Sequence, residues 1–447
     1  MIRPLGFGLM VLSLRSVRRV NEIISRTQAD GRAPSLIAAV VRDGGMAHVA
    51  GAGETPVPDR DTQYRIGSIT KSLTAALILR LRDNGELTLD DPLGDYLPVD
   101  AQVGRIRLRE LLAHAGGLQR EPDGPWWERN AGVSLPELLD RVTAAKVAFD
   151  RYTRHHYSNL AYGLLGGVIE KVTGTSWWDA VRGGLLGPLG MSRTTYHPTE
   201  PFAIGYVVHP WYQTLREEPR HDAGAMAAAG QLWSTADDLA RWAAFLAAPA
   251  NGVLAPGSVA EMCAPAVIAD PDAWTNGYGL GLQLWRRGER VFVGHTGSMP
   301  GYLAVLAVHR PSKTAVVAFA NSYTLKETSI GALGLSILEA VLEHEPAPPP
   351  TPWRPATPPP PEVEPLCGPW YWMGIRVESS WDAARSELVL TPDRPGLEPW
   401  RFVREGDDTW RGRTGSNAGE ILTVRRDEAG NVIELDVATF VFARAPS

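Results

Sequence analysis

The chain has 447 residues, of which 44% are hydrophobic and 21% are charged. This balance is ordinary for globular proteins, so it excludes a wholly disordered chain and a fibrous repeat, and the length predicts two or three domains. The formal net charge of −6 disfavours a protein that holds nucleic acid through its phosphates. Only five of the 44 basic residues are lysine. Lysine, unlike arginine, can lose its proton when it is buried, so each lysine is informative.

The sequence indicates neither a metal site nor a membrane span. Cys263 and Cys367 lack a CxxC or histidine-rich neighbourhood, which predicts two unpaired thiols. The longest apolar run, residues 5–14, is too short to cross a membrane. It has the length of a signal-peptide core, but arginines follow it and no small-x-small cleavage site appears. A cytoplasmic location is therefore expected, and export stays open.

A proline-rich segment divides the chain. Between Pro346 and Pro361, ten of sixteen residues are proline. Proline fixes φ and removes N–H donors, so this segment is expected to be a stiff, extended spacer. The predicted organisation is an N-terminal extension (1–16), a large domain (17–343), a linker (344–364) and a small C-terminal domain (365–447).

The large domain interleaves helical and strand patterns, which predicts an α/β or α+β fold with a helical block in its middle. Helices are expected at 17–30, 69–81, 160–172, 236–246 and 330–342, and strands at 36–41, 291–294, 303–309 and 315–320. The C-terminal domain has short alternating pieces separated by turns, which is typical of a small antiparallel β-barrel or sandwich. These pieces are residues 370–375, 387–390, 400–403, 421–424, 433–437 and 439–442.

One SxxK sequence occurs in the chain, at Ser68-Ile69-Thr70-Lys71, directly after Gly67 and at the start of a predicted helix. A spacing of three places both side chains on one helix face, where the amine can take the proton of the hydroxyl. The helix dipole and burial both lower the lysine pKa and so favour a reactive serine near neutral pH. The alternative is that Ser68 only caps the helix and Lys71 is a solvated charge.

Tyr157-Ser158-Asn159 is the only YxN sequence and precedes the helix expected from residue 160. Its phenol can carry a proton, and its amide can contact a lysine or a substrate carbonyl. A capping turn is the plainer interpretation of this sequence alone.

His295-Thr296-Gly297 follows an apolar strand and is followed by Ser298. A substrate backbone can lie along such a strand edge, and the N–H of Ser298 could join that of Ser68 in an oxyanion hole. A lone histidine is more often structural. A similar sequence, 413–415, lies among turn residues with no strand expected before it, and it is set aside.

In this order and spacing, the three sequences resemble the serine β-lactamase and penicillin-binding-protein superfamily, specifically the class C-like branch that also contains esterases, D-aminopeptidases and DD-peptidases. Supporting phrases are LLAHAGGL at 111–118, PLGM at 188–191, STADDL at 234–239, YGLG at 278–281 and GHTG at 294–297. The resemblance covers roughly residues 17–343. It implies a β-lactamase-like domain in which helices flank a sheet, with a helical lobe and an acylating serine between them.

The resemblance also implies roles for individual residues. Ser68 would be the nucleophile, Lys71 its base and Tyr157 the second acid/base. Asn159 would be a polar contact, and the strand with His295, Thr296, Gly297 and Ser298 would line the cleft. His114 and the turn at 188–191 match positions that look structural, so no chemistry is assigned to them.

Two departures from the family bear on the substrate. His295 stands where β-lactamases usually have a lysine that fixes the carboxylate of the antibiotic, and a mostly neutral imidazole is a weaker anchor. This favours esterase or aminopeptidase chemistry over antibiotic hydrolysis. Arg151-Tyr152 replaces a Pro-Gly turn before Tyr157, which puts the setting of that loop in doubt. Trp126, Trp127 and Trp211 are candidate walls for an apolar acyl or aromatic group, with structural packing as the alternative.

The sequence therefore predicts a serine hydrolase that forms an acyl-enzyme at Ser68 with a small ester, amide or peptide substrate and needs no metal or organic cofactor. An acyltransferase or a β-lactamase that uses the same acyl-enzyme, or a catalytically silent binding protein, are the alternatives. An α/β-hydrolase is disfavoured because no G-x-S-x-G occurs. The sequence indicates no nucleic-acid partner, and it leaves the oligomeric state and the role of the barrel open.

Overall fold

The computed structural model describes residues 12–53, 58–249, 252–345, 357–394 and 397–446. Residues 5–11 of the apolar run at 5–14 lie outside these residues, as do residues 346–356 of the proline-rich segment. The chain divides into two compact units, Met1–Ala347 and Pro348–Ser447. No helix in the described part of the chain is long and apolar enough to cross a membrane.

Several helices of the first unit begin at a polar residue whose side chain caps them. The hydroxyl of Ser13 accepts the Ser16 N–H at the start of the first helix, and Ser158 accepts the Ala161 N–H in the same way. The helices are α1 (Leu14–Gly31), α2 (Thr70–Asp83), α3 (Ala101–Gly104), α4 (Leu108–Leu112), α5 (Leu135–Leu139), α6 (Asn159–Thr173), α7 (Trp177–Val181), α8 (Gly187–Leu189), α9 (Ala227–Gly230), α10 (Ala236–Ala247), α11 (Pro256–Met262) and α12 (Ile330–His344).

The same unit contains an antiparallel sheet in the strand order β2-β1-β12-β11-β10-β9-β8-β7. Two short pairs, β3 with β6 and β4 with β5, lie outside it. The strands are β1 (Ser35–Arg42), β2 (Gly45–Gly53), β3 (Tyr64–Arg65), β4 (Tyr206–Val208), β5 (Leu215–Glu217), β6 (Trp233–Ser234), β7 (Val267–Ile268), β8 (Asn276–Tyr278), β9 (Gln283–Arg287), β10 (Arg290–Met299), β11 (Tyr302–His309) and β12 (Thr314–Ala320).

Both faces of the sheet are covered, which explains its continuous apolar strands. Along β12, Val316 and Ala318 belong to a cluster with residues of α1 and α12. The alternate residues Val317 and Phe319 pack on the opposite face, in the larger cluster that contains α2, α6 and α10. The helices between α3 and α9 form a helical lobe on this second face, so the predicted β-lactamase-like α/β fold with a helical lobe is confirmed.

The second unit is a closed eight-stranded antiparallel barrel, as predicted. Its interior is filled by large side chains such as Trp370, Phe402 and Trp410. The strands are β13 (Gly368–Trp372), β14 (Ile375–Asp382), β15 (Glu387–Pro392), β16 (Trp400–Arg404), β17 (Thr409–Gly412), β18 (Ile421–Arg426), β19 (Val432–Val437) and β20 (Phe440–Ala443).

Two details of the barrel were predicted wrongly. The piece 370–375 is not one strand, because Met373 and Gly374 adopt positive φ values of 47° and 79° and turn the chain between β13 and β14. The sequence 413–415 does follow a strand, since β17 ends at Gly412. The reason given for setting that sequence aside was therefore incorrect.

Candidate active site

Ser68 lies in a short 3₁₀ turn, Gly67–Ile69, that runs directly into α2. Lys71 is one turn further on, and its Nζ donates to Ser68 Oγ at 2.9 Å and to the Ala229 carbonyl of α9 at 2.7 Å. The Lys71 side chain has no exposed surface. The turn therefore holds a hydroxyl and a buried amine in direct contact.

The environment of Lys71 lowers the pKa of its amine to about 7, chiefly because burial disfavours the charged form. Glu128 and Glu121 act in the opposite direction, and Arg120 lowers the pKa further. A large fraction of this lysine is therefore neutral at pH 7 and can accept a proton.

Tyr157 reaches the same hydroxyl from the loop before α6. Its phenol hydrogen-bonds with Ser68, and burial raises the pKa of the phenol well above its ordinary value. Its ring centroid lies 5.1 Å from Lys71 Nζ. The three residues of the SxxK and YxN sequences are thus brought together around one oxygen.

His114 supports the loop that carries Tyr157. Its Nδ1 accepts the Ser158 N–H at 3.0 Å, its carbonyl accepts the His156 N–H at 2.9 Å, and its ring lies 4.3 Å from that of Tyr157. Burial and nearby cationic groups hold the pKa of His114 well below its ordinary value, so the imidazole is neutral. These contacts give the loop a support that does not depend on a Pro-Gly turn.

The strand β10 passes beside the serine turn. Its pairing with β9 ends at Gly294 opposite Gln283, so the following residues have an edge that β9 does not cover. A Cβ on Gly67, which has a φ of +50°, would lie 2.6 Å from the Ser298 nitrogen. Only glycine allows this approach, which brings the backbone of Ser298 next to that of Ser68.

The side chain of His295 points into the protein beneath this edge. It is fully buried, its Nδ1 contacts the Thr296 carbonyl, and its Nε2 lies 2.8 Å from the hydroxyl of Tyr278. A carbonyl oxygen only accepts, so Nδ1 carries the proton and Nε2 accepts from Tyr278. Burial lowers the pKa of His295 to about 3, so it supplies no positive charge. The hydroxyl of Thr296 also has a partner within the protein, because it donates to the side chain of Gln283.

Asn159 connects the YxN sequence to a carboxylate that sequence analysis missed. Its Nδ2 donates to both oxygens of Glu121, at 2.8 and 3.0 Å, and the indole of Trp127 donates to the same carboxylate at 2.8 Å. Arg120 pairs with Glu121 at 3.1 Å. The buried Oδ1 of Asn159 has no hydrogen-bond partner among the described residues.

Glu128 is a second carboxylate that sequence analysis missed. Burial and the neighbouring Glu121 raise its pKa to about 7, while Lys71 and Arg65 act in the opposite direction. No residue that the structure describes donates a hydrogen bond to it. The loop 119–130 was noted only for its tryptophans, and no sequence pattern marks two glutamates seven residues apart as neighbours of Lys71.

The three candidate tryptophans differ in position. Trp127 is buried, and its ring packs close to Gly230 of α9. A Cβ on Gly230 would lie 3.2 Å from the edge of that ring. Trp126 is 43% exposed and makes an edge-to-face contact with Tyr323. Trp211 is 80% exposed on the hairpin between β4 and β5, where its ring contacts His209. None of these contacts brings Trp211 to Ser68.

Within the described residues, no cluster of three or more histidine, cysteine, aspartate or glutamate side chains could hold a metal ion. The arrangement around Ser68 provides a hydroxyl in contact with a buried amine and a phenol, beside a strand edge. These are the components of an acyl-transfer site.

Comparisons with known proteins agree with this fold. The model of the Beta-lactamase family matches residues 20–333, and that of a domain of unknown function, DUF7586, matches residues 359–444. The chain is 28% identical to human putative beta-lactamase-like 1 over 78% of this chain and 74% of that protein. It is 29% identical to the D-alanyl-D-alanine-carboxypeptidase/endopeptidase AmpH of Escherichia coli K12, over 47% of this chain and 57% of that protein.

The crystal structure of a D-stereospecific amidohydrolase from Streptomyces sp. is similar with a TM-score of 0.61 and 27% identity, over 73% of this chain and 97% of that one. The fold and the site define the class as the serine β-lactamase and penicillin-binding-protein superfamily. With a family model that matches most of the chain, this protein belongs to the Beta-lactamase family.

Proposed function

We propose that the protein is a serine hydrolase that acylates Ser68. The observation that carries this proposal is the 2.9 Å contact between Ser68 Oγ and the fully buried amine of Lys71. A neutral amine at this position can take the hydroxyl proton as the oxygen attacks a carbonyl carbon. Burial is the main reason that the pKa of this amine falls to about 7, and it leaves a large fraction of the amine neutral at pH 7.

The remaining steps use groups that surround the same oxygen. The N–H groups of Ser68 and Ser298 would hold the oxyanion of the tetrahedral intermediate. Lys71 and Tyr157 would pass the serine proton to the leaving amine or alcohol as its bond to the carbonyl carbon breaks. Water would then attack the acyl-enzyme, give one proton back to Ser68 through the same pair and release the carboxylic acid.

We further propose that the substrate is an amide or ester whose acyl group carries a free amine. Glu121 and Glu128 place two carboxylates near Lys71, and Asn159 Oδ1 adds an acceptor that no described group satisfies. Such acceptors suit an ammonium group. The similarity to a D-stereospecific amidohydrolase supports amides of D-amino acids within this class.

The nucleophile is tested with a fluorophosphonate probe. The probe should label the protein once, with the adduct found on the tryptic peptide that contains Ser68. The Ser68→Ala variant should not be labelled, and Lys71→Met should react at least about 100-fold more slowly because it has no base. Lys326→Met, which removes an exposed lysine, is the control and should react normally. An adduct on another residue would refute the assignment.

The amine preference is tested with a matched pair of amides. D-Phenylalanine amide should be hydrolysed with a kcat/KM at least about tenfold above that of 3-phenylpropanamide, which lacks only the amine. In Glu128→Gln this preference should fall, mainly through a higher KM for the amine substrate. A p-nitrophenyl ester and a chromogenic β-lactam in the same panel show how far other acyl groups are accepted. Equal use of the two amides by the unaltered protein would contradict the preference.

A further inference from the structure

A cavity of about 310 Å³ lies between α6, α7 and α9, and none of Ser68, Lys71 and Tyr157 lines it. Gly166 and Gly167 of α6 are among the residues that line it. A Cβ on Gly166 would lie only 2.8 Å from the Cβ of Ala228 in α9. The cavity is within the size range of small-molecule sites.

One wall of the cavity carries a single carboxylate. Glu170 is the only acidic residue among the described residues that line it, and no lysine or arginine lines it. Its Oε1 accepts the backbone N–H of Trp177 at 3.0 Å. No group in the described part of the chain donates to Oε2. Half of this carboxylate is therefore available to a ligand.

Another part of the lining is aromatic. The rings of Trp178 and Tyr196 both line the cavity, 6.0 Å apart and nearly edge to face. The Tyr196 hydroxyl donates to Asp222, which fixes that ring. Aromatic faces near a carboxylate are suited to organic cations, because the ring quadrupole and the negative charge both attract an ammonium group.

We infer that this cavity is a second ligand site that binds an aromatic primary amine. The ammonium group donates to Glu170, and the aromatic ring of the ligand packs beside Trp178 and Tyr196. This inference concerns a site separate from the catalytic one and does not require that Ser68 be a nucleophile.

The walls of this cavity are hydrogen-bonded to the helix that carries Lys71. The indole of Trp177 donates to the hydroxyl of Thr74, and that hydroxyl donates to the Ala228 carbonyl, at 3.2 and 2.8 Å. The next carbonyl, that of Ala229, is the one that accepts from Lys71. A ligand against Trp177 and Ala228 therefore contacts residues that neighbour the support of Lys71, and we expect its binding to change the reactivity of Ser68.

The test measures binding of 2-phenylethylammonium to the full chain with Ser68→Ala, by calorimetry. This variant cannot turn over or be acylated at Ser68, so binding is read apart from catalysis. We expect saturable binding with one site in the cavity, and at least tenfold weaker binding of 2-phenylethanol, which keeps the ring and lacks the charge. Glu170→Gln retains the acceptor for Trp177 and should weaken binding of the amine at least tenfold. Trp178→Leu should also weaken binding of the amine. It serves as a second variant if Glu170→Gln folds poorly.

Two control variants locate the ligand. Glu343→Gln removes an exposed carboxylate on α12 and should leave binding unchanged. Glu128→Gln tests binding in the catalytic cleft instead. If Glu128→Gln weakens binding and Glu170→Gln does not, or if no binding is seen at millimolar amine, the inference is overturned.

A rate measurement tests the connection to Lys71. In the protein with Ser68 intact, saturating 2-phenylethylammonium should change the rate of fluorophosphonate labelling at least threefold. The change should be absent in Glu170→Gln. Binding at Glu170 with an unchanged rate would overturn the coupling, and failure of the probe to label Ser68 would count against the proposed function alone.

Discussion

At the scale of single residues, the proposed reactivity of Ser68 depends on the protonation of Lys71. Burial is the main cause that lowers the pKa of its amine, to about 7, and Arg120 lowers it further. Glu128 and Glu121 act in the opposite direction and raise it. Glu128 itself has a pKa raised to about 7. The two groups interact, so they titrate as a pair and the pH dependence belongs to both.

The rate of Ser68 labelling should rise as Lys71 loses its proton. With a pKa of about 7, the neutral fraction of the amine is about tenfold larger at pH 8 than at pH 6, so the labelling rate should increase about tenfold over this range. Glu128→Gln removes a negative charge that stabilises the ammonium form. The midpoint of the rise should therefore move to lower pH in this variant.

The measurement is the second-order rate constant of labelling from pH 5 to 9, with Glu343→Gln as the control. This carboxylate lies outside the interactions that shift the pKa of Lys71. A midpoint that stays in place or moves upward in Glu128→Gln would show that Glu128 does not act on Lys71.

The other residues of the site illustrate what sequence could and could not supply. Ser68, Lys71 and Tyr157 stood out because each lies in a short sequence with fixed spacing, and the structure places all three within contact of one another. Their catalytic roles stay predictions. Glu121 and Glu128 did not stand out, because their closeness to Lys71 comes from the path of the loop before α5 rather than from spacing.

At the scale of elements, strands buried on both faces were predicted well. The segment 315–320 is apolar at every position because α12 covers one face of β12 and α10 the other. The strand β10 was predicted too short, ending at residue 294 where it continues to Met299. Polar and glycine residues break the apolar pattern at His295-Thr296-Gly297-Ser298, because this end of the strand lies against the serine turn rather than within the core.

The conformation of the serine turn could not be predicted from the spacing of hydrophobic residues. Its geometry depends on Gly67, whose φ of +50° and 2.6 Å approach to Ser298 belong to a contact between residues more than two hundred positions apart. The sequence showed only a glycine before a helix. The close approach of two backbones explains why that position has no side chain.

At the scale of the whole molecule, the chain has two units with separate cores. Among the described residues, the clusters around the large sheet extend no further than Leu342, and the cluster inside the barrel begins at Val363. We propose that the units correspond to the predicted domains 17–343 and 365–447. All residues of the candidate active site belong to the first unit.

Because each unit has its own core, the full chain should unfold in two separate calorimetric transitions. Trp370 is fully buried in the barrel, its indole donates to the Leu366 carbonyl at 2.8 Å, and the Arg444 guanidinium lies 3.7 Å from its ring centroid. Trp370→Ala should therefore destabilise the barrel by about 3–5 kcal/mol and lower only one transition temperature. Met373→Ala, on an exposed residue at the turn that follows the same strand, should change neither transition temperature.

The labelling rate of Ser68 in Trp370→Ala, measured below both transitions, should equal that of the unaltered protein. A joint shift of both transitions, or a parallel loss of labelling, would show that the barrel supports the fold of the first unit.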